Sequence, residues 1–254
     1  MRKLLLILIS VVTLTDVLGW GQTGHRATGL IAEQLLNAKA KKRISVILEQ
    51  QSIAMVSTWM DEIRSDSTYD YAVPFHWTTI PDGKKYEDIE ADPDGKLIQM
   101  LEKITKELKS GKLTVTQERE YLKFLIHLIG DLHQPLHVGK PGDRGGNNVK
   151  LKWFGKDSNL HSVWDSEMID DTRLSYTELA ASCILPDKTT MAKWQSTSFR
   201  EWAAESMTFR NQIYAIGNGS LSYKYGYKNF GVVRLRIAQA GVRLASVLND
   251  IYGK

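Results

Sequence analysis

Histidine and aspartate side chains recur in this sequence at a spacing that suits metal binding. Two of the six histidines precede an aspartate by four residues, in the pairs His127/Asp131 and His161/Asp165. The side chains of residues four apart project from the same face of a helix, so each pair can offer an imidazole and a carboxylate to one ion. His137 follows on the turn after the first pair, where the chain can fold back towards the same site. A single pair is more often an ordinary ion pair, but two pairs in one chain indicate a metal centre.

The surroundings of His127 indicate that this centre is buried. Apolar residues dominate positions 124–132, and a buried Asp131 needs a cation or several hydrogen bonds to keep its charge. Imidazole and carboxylate ligands without thiolates suit zinc, with manganese and iron as alternatives, and they fit an open catalytic site. A hydrogen-bonded polar network inside a helical bundle is the alternative interpretation.

The N-terminus has the features of a signal peptide. Arg2 and Lys3 form a basic start, an apolar stretch covers 4–14, and positions 17–19 form a cleavage site that ends in a small residue. The pattern predicts a signal peptide at 1–19 and therefore a secreted or periplasmic protein. A signal anchor is the alternative, but the apolar run is shorter than the ~20 residues that span a bilayer.

Cleavage after residue 19 would give the mature chain a free α-amine at Trp20, five residues before His25. That amine, the Trp20 carbonyl and the His25 imidazole could together hold an ion. We expect the mature chain, 20–254, to form a single domain without a membrane anchor. Its one cysteine, Cys183, excludes an intrachain disulfide, so bound metal is a natural source of extra stability. The formal net charge of +4 suits a polyanionic substrate but does not establish one.

Helical periodicity dominates the chain and predicts a mainly α, single-domain helical bundle with long loops. The predicted helices cover 24–36, 40–48, 53–63, 97–108, 117–132, 194–216 and 230–251. A polar segment rich in turn residues, 65–95, is predicted to be a long loop. Alternation at 148–154, between glycines, predicts one strand of a short β-hairpin.

Six short motifs, in order along the chain, resemble those of the S1/P1-type nucleases. They are WGQTGH from Trp20, WMDEIR from Trp59, HW from His76, HLIGDLHQPLH from His127, GGNN from Gly145 and LHSVWD from Leu160. The resemblance implies a secreted, mainly helical enzyme of the phospholipase C/P1 nuclease fold. Such an enzyme uses three zinc ions to hydrolyse single-stranded DNA, RNA and nucleoside 3′-phosphates. The absence of disulfides is typical of a bacterial-type member.

The resemblance also implies which residues hold the three ions. The implied sets are Asp61, His76, His127 and Asp131 for the first zinc, Trp20, His25 and Asp131 for the second, and His137, His161 and Asp165 for the third. Asp131 would bridge the first two ions. His133 is the one histidine left over, and we expect it to be structural or to support a ligand.

A mechanism follows from the same resemblance. Hydroxide formed from a water shared by the paired ions would attack phosphorus in line, and the third ion would stabilise the departing 3′-oxygen. Asp61 would orient the nucleophile, and the product would carry a 5′-phosphate. Arg64, one turn beyond Asp61, is a candidate to neutralise the transition state, with a solvated charge at a helix end as the alternative.

Three further residues are candidates for substrate binding. Trp77 could stack on an unpaired base, or it could belong to the core. Asn147 and Asn148 could donate hydrogen bonds to phosphate, or they could serve the hairpin turn. Relatives commonly have an aspartate three residues after the ligand histidine, where this chain has Thr79, so base preference stays open.

Two other functions fit the same pattern. One is a zinc-dependent phosphodiesterase of the phospholipase C kind, which would cleave a lipid headgroup. The other is a non-catalytic zinc-binding protein. The sequence predicts no stable protein partner, and a nucleic acid or nucleotide is the expected binding partner.

Overall fold

The computed structural model describes residues 20–89 and 95–254, so the predicted signal peptide at 1–19 lies outside the described residues. The described chain is mainly helical, as the periodicity predicts. Its α-helices are α1 (Gln22–Gln34), α2 (Ala38–Ile47), α3 (Ile53–Val56), α4 (Trp59–Glu62), α5 (Leu97–Ser110), α6 (Val115–His133), α7 (Leu160–Ser162), α8 (Met168–Asp170), α9 (Tyr176–Ser182), α10 (Lys188–Gln195), α11 (Phe199–Thr208), α12 (Arg210–Ile213) and α13 (Tyr223–Tyr252). Short 3₁₀ helices cover Ile63–Ser65, Ser67–His76, Tyr86–Asp88 and Pro135–His137, and a π-helical turn covers Val163–Glu167.

Helix α6 is the central helix of the fold. It begins at a capping box, in which Thr114 and Gln117 each accept a hydrogen bond from the main chain of the other. It ends at His133 because Pro135 disfavours the helical conformation of the residue before it. Helices α5, α11 and α13 pack around it, and its last ten residues are all buried.

The apolar core has two parts, and each contains residues that are next in sequence to the predicted metal ligands. One part surrounds the C-terminal half of α6 and includes Leu125 and Leu128. The other includes Trp20 and Trp164, with side chains from α1 and α13. In the part of the chain that the structure describes, no helix has the length and apolar character needed to cross a membrane.

Two small sheets fix the chain beside the histidines. The strands are β1 (Thr78–Thr79), β2 (Val138–Gly139), β3 (Lys150–Trp153), β4 (Lys156–Asn159) and β5 (Ser220–Leu221). Strand β1 pairs in parallel with β2, and the two strands begin just after His76 and His137. Strand β3 forms the predicted hairpin with β4 and pairs in parallel with β5. The β1–β2 pairing therefore holds two distant histidines next to each other.

The structure corrects several predicted element boundaries. The helix predicted at 53–63 is broken into α3 and α4, where the side chains of Ser57 and Thr58 bond to main-chain carbonyls one turn back. The helix predicted at 194–216 is three helices, because Ser198 caps a new one. The predicted loop at 65–95 contains two 3₁₀ helices and strand β1. The last helix begins at Tyr223, seven residues earlier than predicted.

Candidate metal centre

Three groups of histidine and aspartate side chains meet inside the fold. In each group, the candidate ligand atoms all lie within 4.8 Å of one another. The groups are His25, His127 and Asp131; Asp61, His76 and His127; and His137, His161 and Asp165. They contain eight of the nine sequence-predicted ligands, and the first two groups share His127.

The two carboxylate oxygens of Asp131 face different ligand groups. Its Oδ1 atom lies 3.3 Å from Nε2 of His25. Its Oδ2 atom lies 2.9 Å from Nδ1 of His76 and 3.3 Å from Nε2 of His127. A carboxylate in this position can bind one ion with each oxygen, which is the geometry that a bridging ligand needs.

Asp61 and Arg64 come to the same region from the short helix α4 and the 3₁₀ turn after it. Oδ1 of Asp61 lies 3.7 Å from Nε2 of His127. Nη1 of Arg64 lies 4.0 Å from the same Asp61 oxygen, and both side chains are mostly buried. The break in the predicted helix at 53–63 therefore matters, because Asp61 lies in the short helix α4 that follows the break, and the direction of α4 sets where its side chain lies.

The third group is assembled from the turn after α6, from α7 and from the π-helical turn that follows α7. Nε2 of His161 lies 2.9 Å from Oδ2 of Asp165, and Nε2 of His137 lies 3.9 Å from Oδ1 of the same residue. Gly145 has a φ of +61°, and a Cβ there would lie 2.4 Å from the main-chain oxygen of Leu136. Glycine is required at this position so that the loop can approach the turn that carries His137.

Main-chain carbonyls orient three of the histidines. Nδ1 of His127 bonds to the Ser57 carbonyl at 2.7 Å. Nδ1 of His137 bonds to the His76 carbonyl, and Nδ1 of His161 bonds to the Gly145 carbonyl, each at 2.6 Å. An Nδ1–H that donates to a carbonyl leaves the Nε2 lone pair free for a metal ion, which is the usual arrangement around ligating histidines.

Buried polar atoms without hydrogen bonds test whether these residues fit a metal. Both ring nitrogens of His25 lack a hydrogen-bond partner, as do Oδ1 of Asp61 and Oδ1 of Asp131. Buried polar groups are rarely left unpaired, because an unmade bond is costly. An ion beside these atoms would satisfy them, and the donor set of imidazoles and carboxylates suits zinc. The residues therefore fit the metal that the sequence predicts.

The protonation equilibria of the buried ligands are strongly shifted. Burial lowers the pKa of His127, but the carboxylates of Asp131 and Asp61 outweigh it and raise that pKa to about 9. Burial raises the pKa of Asp165 to about 7 although the nearby His161 opposes it. Burial, with a smaller contribution from the charge of His161, lowers the pKa of His137 to about 4 although Asp131 opposes it. Shifts of both signs within one buried cluster are typical of functional sites.

The start of the predicted mature chain lies against the third group. The side chain of Trp20 is fully buried. The next main-chain N–H, that of Gly21, donates to the main-chain oxygen of Asp165 at 2.7 Å. Trp20 is thus anchored beside Asp165 of the third group. Metal binding by its amine and carbonyl, together with His25 and Asp131, stays a prediction.

A cavity of about 540 Å³ opens next to the third group. Its lining includes Trp77, Thr79 and His161, together with two basic residues, Lys140 and Arg144. Trp77 therefore lies where a substrate base could stack. The sequence interpretation missed Lys140 and Arg144, and their position beside the GGNN motif is the signal that could have found them.

The two asparagines of the GGNN motif bond to their own loop. Nδ2 of Asn147 donates to the Arg144 carbonyl, and Nδ2 of Asn148 donates to the Gly142 carbonyl, each at 2.9 Å. These bonds support the turn role that the sequence left open. Phosphate binding by the two side chains stays a prediction.

His133 belongs to none of the three groups. Its Nδ1 bonds to the Ile129 carbonyl at 2.7 Å, and its Nε2 lies 3.0 Å from Nη1 of Arg243. Arg243 and Arg236 both reach the carboxylate of Glu205, and Arg236 also donates to the His133 carbonyl. His133 therefore helps to hold the end of α6, which agrees with the structural role expected for it.

Comparison with known proteins identifies the family. The family model described as S1/P1 Nuclease matches residues 20–253. Endonuclease 2 of Arabidopsis thaliana is 28% identical, and the match covers 94% of this chain and 92% of that protein. Nuclease S1 of Aspergillus oryzae is 26% identical, with 92% of each chain covered. Nuclease P1 of Penicillium citrinum is 27% identical, and the match covers 92% of this chain and 98% of that protein. The match over nearly the whole described chain shows that this protein belongs to the S1/P1 nuclease family of phosphodiester-cleaving hydrolases.

Proposed function

We propose that this protein is an exported endonuclease with three zinc ions. It hydrolyses single-stranded DNA and RNA, and nucleoside 3′-phosphates, to products that carry a 5′-phosphate. The observation that carries the proposal is the position of the Asp131 carboxylate, with one oxygen towards His25 and the other towards His76 and His127. A buried pair of ion sites that share a carboxylate, next to a third group and an open cavity, suits phosphodiester hydrolysis.

The proposed residues hold metal or act on the substrate, and Asp61 does both. The proposed ligands are Trp20, His25, Asp61, His76, His127, Asp131, His137, His161 and Asp165. Zinc bound there would supply Lewis-acid activation of water and of the phosphate. The Asp61 carboxylate lies beside His127, and the oxygen that an ion leaves open can accept a hydrogen bond from the attacking water, which orients that water towards phosphorus. The guanidinium of Arg64, close to Asp61, offers donors to the phosphate oxygens as their negative charge builds up.

Substrate binding is assigned to the cavity beside the third group. The indole of Trp77 can stack on any unpaired base, which favours single strands over duplexes because a paired base has no free face to offer. Arg144 is exposed, and it has no ion pair with a residue that the structure describes, so its charge is available to a backbone phosphate. Asn147 and Asn148 remain secondary candidates for phosphate contacts.

Export is part of the proposal. The leader at 1–19 precedes the point where the family match begins, at residue 20. Removal of the leader would create the α-amine at Trp20 that the second ion site is proposed to use. The secreted or periplasmic location and the maturation of the metal centre would then depend on the same cleavage.

The test is nucleotide release from single-stranded RNA and DNA by protein that starts at Trp20. The assay is run as purified, after chelation, and after zinc is added back, and the ends of the products are analysed. The proposal expects zinc-restored release of products with a 5′-phosphate, and much slower cleavage of a duplex of the same sequence. Arg64→Lys, which keeps the charge and loses the planar donor pair, should lower kcat with zinc content unchanged.

Two outcomes would contradict the proposal. If the protein cleaves no nucleic acid but releases diacylglycerol from phosphatidylcholine in a zinc-dependent reaction, a lipid phosphodiesterase is favoured instead. Activity on both substrates without any response to chelation or zinc would remove the metal centre from the mechanism.

A further inference from the structure

We propose that Gln134 is a positioning residue for the third ion site, because its side-chain amide holds the carboxylate of Asp165. This inference rests on the metal centre put forward above. Gln134 is fully buried at the end of α6, three residues after the bridging Asp131. It lies within the motif that begins at His127, but the sequence analysis gives it no role.

The hydrogen bonds of Gln134 fix the orientation of its amide. Its Oε1 accepts a hydrogen bond from the Leu136 N–H at 2.6 Å, so the other arm of the amide must be the NH₂ group. That Nε2 donates to Oδ1 of Asp165. One amide therefore closes the turn that leads to His137 and, at the same time, restrains a carboxylate from a segment about thirty residues further along the chain.

The contact is the counterpart, for Asp165, of what main-chain carbonyls do for the histidines. His137 and His161 are oriented by the carbonyls of His76 and Gly145. A substitution does not remove a main-chain carbonyl, whereas a substitution at Gln134 removes the donor to Asp165. Gln134 is thus a point where the geometry of the third site can be changed without replacing a ligand.

Asp165 also connects the third site to the start of the mature chain. Its side chain faces His161, while its main-chain oxygen accepts the hydrogen bond from Gly21. A Cβ at Gly21 would lie 2.9 Å from that same oxygen, so the packing there is tight. Holding Asp165 in place therefore supports both the third group and the segment that carries Trp20.

The expected effect is a selective loss of metal affinity. Partners that orient ligating groups typically change metal affinity by about 10–100-fold when they are removed. Gln134→Met keeps nearly the same volume and removes both amide arms. We expect the third zinc to dissociate at roughly 10–100-fold higher free zinc, with the paired sites changed less than about twofold.

The experiment measures zinc bound per protein across a series of buffered free-zinc concentrations, for protein that starts at Trp20. Asn229→Leu is the matched control, because Asn229 is also a fully buried amide, and it bonds within α13 to the Tyr225 carbonyl. This control should lower the unfolding temperature but keep three zinc ions with wild-type affinities. Gln134→Met should shift one binding step to higher free zinc while the other two steps keep their wild-type positions.

A double-mutant cycle separates Asp165 from the turn at Leu136. In an Asp165→Ala background, Gln134→Met should change no zinc affinity by more than about twofold, because the group that it positions is gone. Further weakening in that background would mean that Gln134 acts through the turn and His137, and it would overturn the proposal.

Three other results would also overturn it. One is three wild-type zinc affinities in Gln134→Met, and another is equal weakening of all sites that Asn229→Leu reproduces. If wild-type protein fails to bind three zinc ions, the proposed metal centre fails as well. That failure is visible before any variant is compared, so the two failures are distinguishable.

Discussion

Gly130 offers a way to disturb one ion site without changing any ligand. It lies inside α6, between His127 and Asp131, where alanine would ordinarily favour the helix by about 1 kcal/mol. A Cβ at this position would lie 2.7 Å from Nδ1 and 2.9 Å from Cε1 of His25. Ordinary contact begins at 3.4 Å, so the imidazole must retreat by about 0.7 Å at Nδ1 and about 0.5 Å at Cε1.

This displacement should act on catalysis more than on folding. A misplacement of about 1 Å in a catalytic site can lower the rate about 100-fold, so Gly130→Ala should lower kcat/KM on the order of tenfold to a hundredfold. The His25 ring stacks on His127 at 3.9 Å between ring centres, so the shift also alters the surroundings of a ligand shared by two groups. Zinc analysis should show weakened binding of one ion.

The assay compares Gly130→Ala with Gly231→Ala. Gly231 lies in α13, and a Cβ there would meet nothing within 4 Å. The control should be as active as wild type and slightly more stable, by up to about 1 kcal/mol. Full activity and full zinc content in Gly130→Ala would refute the placement of His25 in the metal centre.

Three further outcomes are expected. In Arg144→Ala, the slope of log kcat/KM against log salt on an oligothymidylate should become less negative by ~0.7, the value for one phosphate contact with single-stranded DNA, whereas Arg144→Lys should keep the slope. Equal slopes in wild type and both variants would exclude a contact between Arg144 and phosphate. Glu205→Gln should cost about 3 kcal/mol of unfolding free energy at pH 7, the low end for a broken buried ion pair because the Glu205 side chain is about a third exposed. Burial raises the pKa of Glu205, but Arg243 and Arg236 outweigh it and hold that pKa below its ordinary 4.5. The loss of stability in Glu205→Gln should therefore be present above pH 4.5 and vanish as the pH falls through the folded-state pKa. A loss that persists in acid would mean that the shape of the side chain, and not its charge, matters. One extra residue before Trp20 should remove the free amine and weaken the second zinc, and full activity with full zinc content in that protein would contradict ligation by the amine.

The ligand groups could be predicted from sequence because their residues are rare and regularly spaced. Two His/Asp pairs at a spacing of four survive any error in helix boundaries, since each pair needs only one helical turn. The structure confirms that turn for His127 and Asp131 within α6. For His161 and Asp165 the turn is partly π-helical, which periodicity cannot distinguish from an α-helix.

Other features depended on contacts between distant parts of the chain. The break between α3 and α4 arises where the Ser57 carbonyl turns towards His127, 70 residues away. The parallel pairing of β1 with β2 joins strands of two residues each, which are too short to give a pattern. The role of Gln134 was hidden for the same reason, since its partner Asp165 is 31 residues away. Local propensity does not contain these pairings, because tertiary contacts decide them.

The most direct test of the account is a crystal of the protein that starts at Trp20, grown with zinc and measured on both sides of the zinc absorption edge. The account predicts three anomalous peaks, two of them flanking the carboxylate of Asp131 and the third among His137, His161 and Asp165. Peaks at fewer than three of these positions, or zinc bound only outside the three ligand groups, would contradict it.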